Sequence, residues 1–109
     1  MNSDLNNLIV IFNQMDNDGW DTTSQLKWGF YFVDSDKEKL QNVFSELEDK
    51  NYVLEAVDLA EDKKWVLQAS KFDTLTPEKL HRRNLAFNEL ADYCEVDLYD
   101  GWDVEKIEE

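Results

Sequence analysis

The stretch QLKWGFYFVD, residues 25–34, decides the fold of this chain. Large apolar side chains occupy every second position in it: Leu26, Trp28, Phe30 and Phe32. The intervening positions form the other face: Lys27, Gly29, Tyr31 and Val33. Because successive side chains of a β-strand point to opposite faces, the pattern predicts a strand with one heavily aromatic face that other elements must bury.

A helix is predicted ahead of this strand. Apolar residues recur there at helical spacing: Leu5, Leu8, Ile9, Phe12 and Met15. The spacing predicts a helix from about residue 4 to residue 17, with Ser3 or Asn2 as its N-cap. Gly19 stands where a helix commonly ends in a left-handed conformation.

Helical and extended patterns also alternate after the strand. Ser35 and Glu38 match a capping box, which predicts a second helix that ends near Asn51. Its apolar stripe consists of Leu40, Val43, Phe44 and Leu47. Two extended runs follow, Tyr52 to Leu59 and Lys64 to Leu75. The short polar link between the two runs predicts an antiparallel hairpin.

A third helix and a last strand complete the pattern. Thr76 and Pro77 are suited to the N-cap and the first turn of a helix. The apolar face of this helix consists of Leu80, Phe87, Leu90, Ala91 and Cys94. The last extended stretch runs from Val96 to about Ile107, and Asp100 and Gly101 predict a kink or bulge within it.

The order of elements indicates the fold class. After the first helix, the chain reads strand, helix, strand, strand, helix, strand. This is the βαββαβ pattern of a ferredoxin-like split βαβ sandwich, an α+β fold with helices on one face of an antiparallel sheet. We expect a single domain over residues 1–109, with the N-terminal helix and turn in residues 1–19 and the βαββαβ core in residues 25–107.

The chain is strongly acidic. It has 25 Asp and Glu residues against 11 Lys and Arg residues, a net charge of −14. This charge repels phosphate backbones and anionic lipid and steers basic partners toward the protein, so we expect no direct binding of nucleic acid or membrane.

Cys94 is the only cysteine, which is typical of a reducing compartment. The apolar run from Leu8 to Phe12 is too short for a signal peptide or a membrane span, and we expect a cytoplasmic protein.

Residues suited to catalysis or metal binding are few. His81 is the sole histidine and lies beside Arg82 and Arg83, where a solvated helix face explains it. Cys94 falls on an apolar stripe, where a free cysteine behaves as a small buried hydrophobe. The acidic turn at residues 16–19 lacks the first ligand and the bidentate Glu of a calcium loop, because glutamines stand at both positions. We expect no enzymatic activity, no metal site and no cofactor.

The tetrapeptide Asp-Gly-Trp-Asp occurs twice, at residues 18–21 and 100–103. The first copy is typical of a turn. In the second copy, acids alternate with aromatics, and this predicts a partner-binding set: Asp97, Tyr99, Asp100, Trp102, Asp103 and Glu105. Aromatic rings supply contact area and carboxylates supply steering toward a basic surface. The alternative is that Tyr99 and Trp102 simply pack on the sheet edge.

The segment NELADYCEVDLYDGW, residues 88–102, resembles the C-terminal part of the RraB family, bacterial regulators of ribonuclease E activity. In that family a Tyr-Asp-Gly-Trp motif on the last strand follows a Leu-Ala-rich helix. The order of elements is similar too, so the resemblance spans most of the chain, with Tyr99 to Trp102 as its specific motif. Two features differ from the family pattern: Asp103 replaces a frequent glycine, and the sequence stops at Glu109 without a long acidic tail.

The resemblance implies a protein that binds an endoribonuclease and inhibits or modulates it, with no cofactor of its own. One alternative is an immunity protein that neutralises a toxin nuclease, since an acidic domain can occupy a basic RNA-binding cleft. Another is a small-ligand-binding or enzymatic ferredoxin-like domain that uses the face of Trp28, Phe30 and Phe32 as a pocket. The sequence leaves the oligomeric state and the identity of the nuclease open.

Overall fold

The computed structural model describes residues 1–107, which form three helices, four strands and one 3₁₀ turn. The helices are α1 (Leu5–Asn17), α2 (Lys37–Glu48) and α3 (Pro77–Tyr93). The strands are β1 (Leu26–Asp34), β2 (Val53–Leu59), β3 (Trp65–Asp73) and β4 (Leu98–Glu105). The 3₁₀ turn (Glu61–Lys63) joins β2 to β3. The elements follow the predicted order, and each strand is slightly shorter than its sequence pattern.

All four strands belong to one antiparallel sheet in the order β2-β3-β1-β4. Strand β1 lies between β3 and β4 and is antiparallel to both, and β2 and β3 form the predicted hairpin. This is the strand order of a ferredoxin-like sandwich, so the predicted α+β fold is confirmed. The strand with the aromatic face occupies an inner position, where both of its edges are paired.

The aromatic face of β1 forms the centre of the core. Trp28, Phe30 and Phe32 are each 0% exposed. Phe12 of α1 stacks on Trp28 with ring centroids 5.8 Å apart. Phe87 of α3 meets Phe30 edge-on at 4.9 Å. Such pairs contribute about 0.5–1.5 kcal/mol each beyond the burial of their area, so the helices are held firmly on this one face of the sheet.

Two helices begin at residues other than those the sequence predicted. The N-cap of α1 is Asp4, not Ser3 or Asn2, because the Asp4 carboxylate accepts hydrogen bonds from the backbone N–H groups of Asn6 and Asn7. The N-cap of α2 is Asp36, whose carboxylate accepts from Glu38 N at 2.9 Å, and the Ser35 capping box is therefore wrong. The Thr76 cap of α3 is confirmed, with Thr76 Oγ1 accepting from Lys79 N at 3.2 Å.

Left-handed residues set the helix ends and one strand irregularity. Gly19 has φ +91° just after α1, as predicted. Helix α2 ends at Glu48, earlier than predicted, and Asn51 turns the chain with φ +69°. In β4, Tyr31 pairs with Gly101 but Phe32 pairs with Tyr99, so Asp100 is the extra residue of a bulge. The predicted bulge is confirmed, and Gly101 supports it with φ +115°.

Candidate partner-binding surface

Strand β4 forms one edge of the sheet and carries most of the residues predicted to contact a partner. It pairs only with β1 within residues 1–107. Three of the predicted contact residues are exposed: Asp97, Asp100 and Glu105. Two are half-buried: Trp102 and Asp103. Tyr99 is only 1% exposed, so the edge presents carboxylates to solvent and holds its aromatic rings further inside.

Tyr99 belongs to the core. Its ring lies 5.5 Å from that of Phe87 and 5.1 Å from that of Phe32. Its hydroxyl donates a 2.6 Å hydrogen bond to Oδ1 of Asn84, which is 0% exposed on α3. Burial raises the pKa of Tyr99 far above its ordinary value, because the charged phenolate would lose its hydration. The residue fastens β4 to α3 and offers little surface to a partner.

Trp102 lies on the helix-covered face of β4, next to Trp28. The two ring centroids are 5.7 Å apart and the rings are tilted by 49°. Phe30 is its backbone pairing partner on β1. The half-buried indole therefore covers the edge of the core while part of the ring reaches solvent at the sheet edge. Within this fold, the contacts of Tyr99 and Trp102 are those of the alternative in which both rings pack against the sheet.

Asp103 lies on the opposite face of the sheet, beside Tyr31 and over Gly29. Gly29 is its pairing partner on β1, and a methyl group built on Gly29 would overlap the Asp103 carboxylate. The Tyr31 hydroxyl donates a 2.5 Å hydrogen bond to Asp103 Oδ2. Burial of the phenol, this hydrogen bond and the charges of Asp103 and Glu105 raise the pKa of Tyr31 to about 12. The carboxylate is thus held in one orientation on the sheet surface.

The sheet face around Asp103 carries charged, aromatic and aliphatic side chains at the surface. Lys27 forms a 2.9 Å ion pair with Glu55, and both side chains are about one-third exposed. Phe72, which pairs with Lys27 across the strands, is 52% exposed. Leu98 is 39% exposed at the far end of β4. The predicted contact set includes Asp103 and Glu105 of this face but none of its β1 or β3 residues, although Gly29 within a strand is typical of a close approach by another group.

Asp97 is separated from the rest of the predicted set. It precedes β4, and the rise of a strand puts it roughly 25 Å from Glu105. Its carboxylate forms an ion pair with Lys64, and the hydrogen bond from this ammonium lowers the pKa of Asp97. Its backbone N–H donates to the buried Asp34 carboxylate at 2.9 Å. The exposed acids of the edge are therefore concentrated at the bulge and at the end of β4.

Comparison with known families decides what this chain is related to. A family model described as regulator of ribonuclease activity B, RraB, matches residues 8–104. The chain belongs to the RraB family. No curated protein matches it. The matched range of this RraB family member includes all four strands and the Tyr-Asp-Gly-Trp motif at residues 99–102.

Family membership gives the general function. The chain is a member of a family of regulators of ribonuclease activity, and the partner that such regulation implies is a ribonuclease. The resemblance stated from the sequence is therefore confirmed. The motif strand of this RraB family member is the edge strand β4.

The histidine and the cysteine of this RraB family member, His81 and Cys94, are both half-buried. His81 is half-buried, and its Nδ1 lies 2.8 Å from Ser3 Oγ, so it is less solvated than its position on α3 indicated. Burial, with a smaller effect of Glu46, raises the pKa of the half-buried Cys94 thiol. Within residues 1–107, no three His, Cys, Asp or Glu side chains are arranged to hold a metal ion, and no helix could cross a membrane.

The aromatic face of β1 does not form a ligand pocket. Trp28, Phe30 and Phe32 have no exposed surface, and their rings contact side chains of α1, α3 and β4. A close-packed core of this kind has no room for a ligand. The alternative of a small-ligand or enzymatic domain that uses this face is therefore wrong.

Proposed function

We propose that this RraB family member binds a ribonuclease through the acidic edge of its sheet and lowers the activity of that enzyme. The observation that carries the proposal is the position of the family motif on an edge strand whose exposed side chains include Asp100 and Glu105. An RNA-binding surface is basic, since it neutralises phosphates. An acidic domain can compete with RNA for such a surface.

The charge of the chain supports this mode of binding. A net charge of −14 on 109 residues accelerates the encounter with a basic surface and disfavours encounters with other acidic proteins. Asp103, fixed by Tyr31, adds an oriented acceptor beside the edge. We propose Asp97, Asp100, Asp103 and Glu105 as the acidic contacts and Trp102 as the aromatic contact. Tyr99 supports them from beneath by holding β4 against α3.

The edge of β4 also has a backbone suited to binding. An unpaired strand edge can accept a further strand from a partner, and nearby charges then select which partner pairs. Extended basic segments fit both requirements. The proposed partner element is therefore a basic, extended segment of the ribonuclease.

The proposal is tested first with the native partner. The protein is immobilised, incubated with an extract of its own cells at low salt, and the bound proteins are assayed for ribonuclease activity with and without added free protein. Recovery of a ribonuclease that the free protein inhibits supports the proposal. Recovery of a toxin nuclease encoded beside this chain would instead support the immunity alternative, and that nuclease would be the inhibited enzyme.

The surface is tested with charge reversal. In Asp100→Lys/Glu105→Lys, two exposed acids of the edge are reversed, and Glu46→Lys/Glu89→Lys is the control with the same change in net charge on exposed positions of α2 and α3. We expect the edge variant to lose binding and inhibition and the control to retain most of both. Equal losses in the two variants would show that only the net charge matters, and the edge would then not be the contact surface.

A cytoplasmic location is part of the proposal. The single cysteine is not paired and is half-buried, as is common in proteins of a reducing compartment. Cell fractionation followed by detection of the protein tests this, and recovery in an extracytoplasmic fraction would contradict it.

A further inference from the structure

One cavity of about 560 Å³ gathers positive charge on this acidic protein. Five of the chain's 11 Lys and Arg residues line it: Lys50, Lys71, Lys79, Arg82 and Arg83. The remaining lining consists of Asn51, Tyr52, Ala86 and Phe87. No carboxylate lines the cavity among the described residues, although the chain has 25 Asp and Glu residues. A concentration of cations against the overall charge calls for a physical reason.

The fold brings these cations together from three separate segments. Arg82 and Arg83 come three and four positions after Lys79 on α3, so both lie next to Lys79 on the helix surface. Lys50 lies in the turn that follows α2, and Lys71 comes from β3. Like charges repel at short range, so this convergence has an electrostatic cost. Of the five, only Arg83 has an ion pair among residues 1–107.

Arg83 lines the cavity and has one side-chain donor without a partner among the described residues. Its Nη2 donates to Asp73 Oδ2 at 3.0 Å, and its side chain is 22% exposed. Its Nη1 is buried and has no hydrogen-bond partner in the described part of the chain. A buried donor without a partner is rare, since the group loses its water and gains nothing in return. A planar guanidinium with a free Nη1 fits one oxygen of a phosphate or carboxylate.

The aromatic wall of the cavity excludes base stacking as the main mode of recognition. Tyr52 is 7% exposed, and Lys71 Nζ lies 5.2 Å and Arg83 Cζ 6.0 Å from its ring centroid. Both cations lie over the Tyr52 ring, where cation–π attraction holds them, so the ring is not open for a base to stack on it. What the cavity offers a ligand is therefore a set of positioned cations, which suits a compact group of high negative charge.

We propose that this cavity binds the phosphate groups of a small phosphorylated ligand. The five cations supply the charge, and Arg83 supplies a directed donor. A long nucleic acid would meet the repulsion of the whole acidic surface, whereas a small anion within the cavity is close to the cations and screened from more distant acids by salt. The site is separate from the acidic edge of the sheet and does not depend on the proposed function.

Calorimetry with inorganic phosphate, pyrophosphate and ADP tests the proposal on the full chain. We expect pyrophosphate to bind more tightly than phosphate, since it brings more charge to the cations. In Lys79→Gln/Arg82→Gln, which changes residues on an exposed part of α3, pyrophosphate affinity should fall about tenfold or more. The control Lys37→Gln/Lys63→Gln removes the same net charge at exposed positions outside the cavity and should change affinity little.

Arg83→Lys tests the directed donor. It keeps the positive charge beside Asp73 but removes the planar fork, so we expect pyrophosphate affinity to fall while the urea midpoint changes little. A comparison of pyrophosphate with ADP identifies the source of the phosphates: equal affinities indicate that the phosphates suffice, and tighter ADP binding indicates a nucleotide.

Three results would overturn the assignment. They are no binding heat with any of the three probes, equal losses in the cavity variant and the control, and tighter binding of single-stranded RNA than of pyrophosphate through the same residues. The last result would make the cavity a nucleic-acid site. Because the cavity variants leave β4 unchanged, ribonuclease inhibition measured on them separates failure of this site from failure of the proposed function.

Discussion

The Asp103 carboxylate lies over the α-carbon of Gly29 on the neighbouring strand, in space that any other side chain at position 29 would occupy. Tyr31, two positions along the same strand face, holds this carboxylate with its hydroxyl. Asp103 stands where the resemblance to the RraB family indicates a frequent glycine. A side chain at position 103 and the absence of one at position 29 therefore form a complementary pair.

Gly29→Ala should destabilise the protein by about 1–3 kcal/mol, because the new methyl group displaces the Asp103 carboxylate from Tyr31. Urea unfolding measures the loss. Asp103→Gly in the same background should recover much of it, since the overlap disappears. If Gly29→Ala costs the same in the parent protein and in the Asp103→Gly variant, the strand backbone and not the carboxylate determines the preference for glycine.

Tyr31 should make stability depend on pH in the alkaline range. The pKa of Tyr31 is raised from 10.0 to about 12 in the folded protein. The protonated phenol therefore makes its full contribution to the free energy of unfolding below pH 10, and this contribution is lost as the pH rises through about 12. Ultraviolet titration of the phenols should show a transition near pH 12 that disappears in Tyr31→Phe and is distinct from that of Tyr99, whose pKa burial raises further. Asp103→Asn should lower the pKa of Tyr31, because it removes the carboxylate charge and leaves only a neutral amide oxygen as acceptor. An unchanged Tyr31 titration in Asp103→Asn would contradict the assignment.

Tyr99→Phe should reduce stability by about 1–3 kcal/mol, since it leaves Asn84 Oδ1 without its donor in a fully buried position. Tyr93→Phe is the matched control, because Tyr93 is 79% exposed and should change stability by less than about 0.5 kcal/mol. Thermal and urea unfolding both report the difference. Equal effects of the two substitutions would show that the hydrogen bond to Asn84 contributes nothing.

The fold could be predicted from the sequence because its main determinants are local. Alternation at residues 26–32 identified the aromatic strand, and Pro77 and Gly101 marked a helix start and a bulge. The helix caps were less predictable, because Asp4 and Asp36 stand next to the equally suitable Ser3 and Ser35. In the structure, the Ser3 hydroxyl is bonded to His81 and Asn84, contacts about 80 residues away in the sequence.

Only part of the candidate sites could be predicted, for a related reason. The acids of β4 lie within six positions of one another in the sequence, so the edge was visible as a pattern. The cavity combines Lys50, Lys71 and residues of α3, and only the packing of α2 and α3 on the sheet brings them together. The sequence pattern put Arg82 and Arg83 on a solvated helix face, but nothing local indicated that Lys50 and Lys71 would lie beside them.

The acidic edge should act mainly on the rate of association with the ribonuclease. Asp100 and Glu105 are exposed, and exposed charges at the rim of an interface change long-range attraction more than they change contacts in the complex. Asp100→Lys/Glu105→Lys should therefore lower the association rate constant by about tenfold or more at low salt, weaken its dependence on ionic strength, and change the dissociation rate constant much less.

Trp102→Ala is the comparison for this prediction, because the half-buried indole supplies contact area and little charge. It should raise the dissociation rate constant and leave the salt dependence of association unchanged. Stopped-flow or surface-plasmon measurements with the isolated ribonuclease at several salt concentrations separate the two rate constants. If charge reversal at Asp100 and Glu105 raises only the dissociation rate constant, these acids form desolvated contacts within the interface, and steering by this edge is excluded.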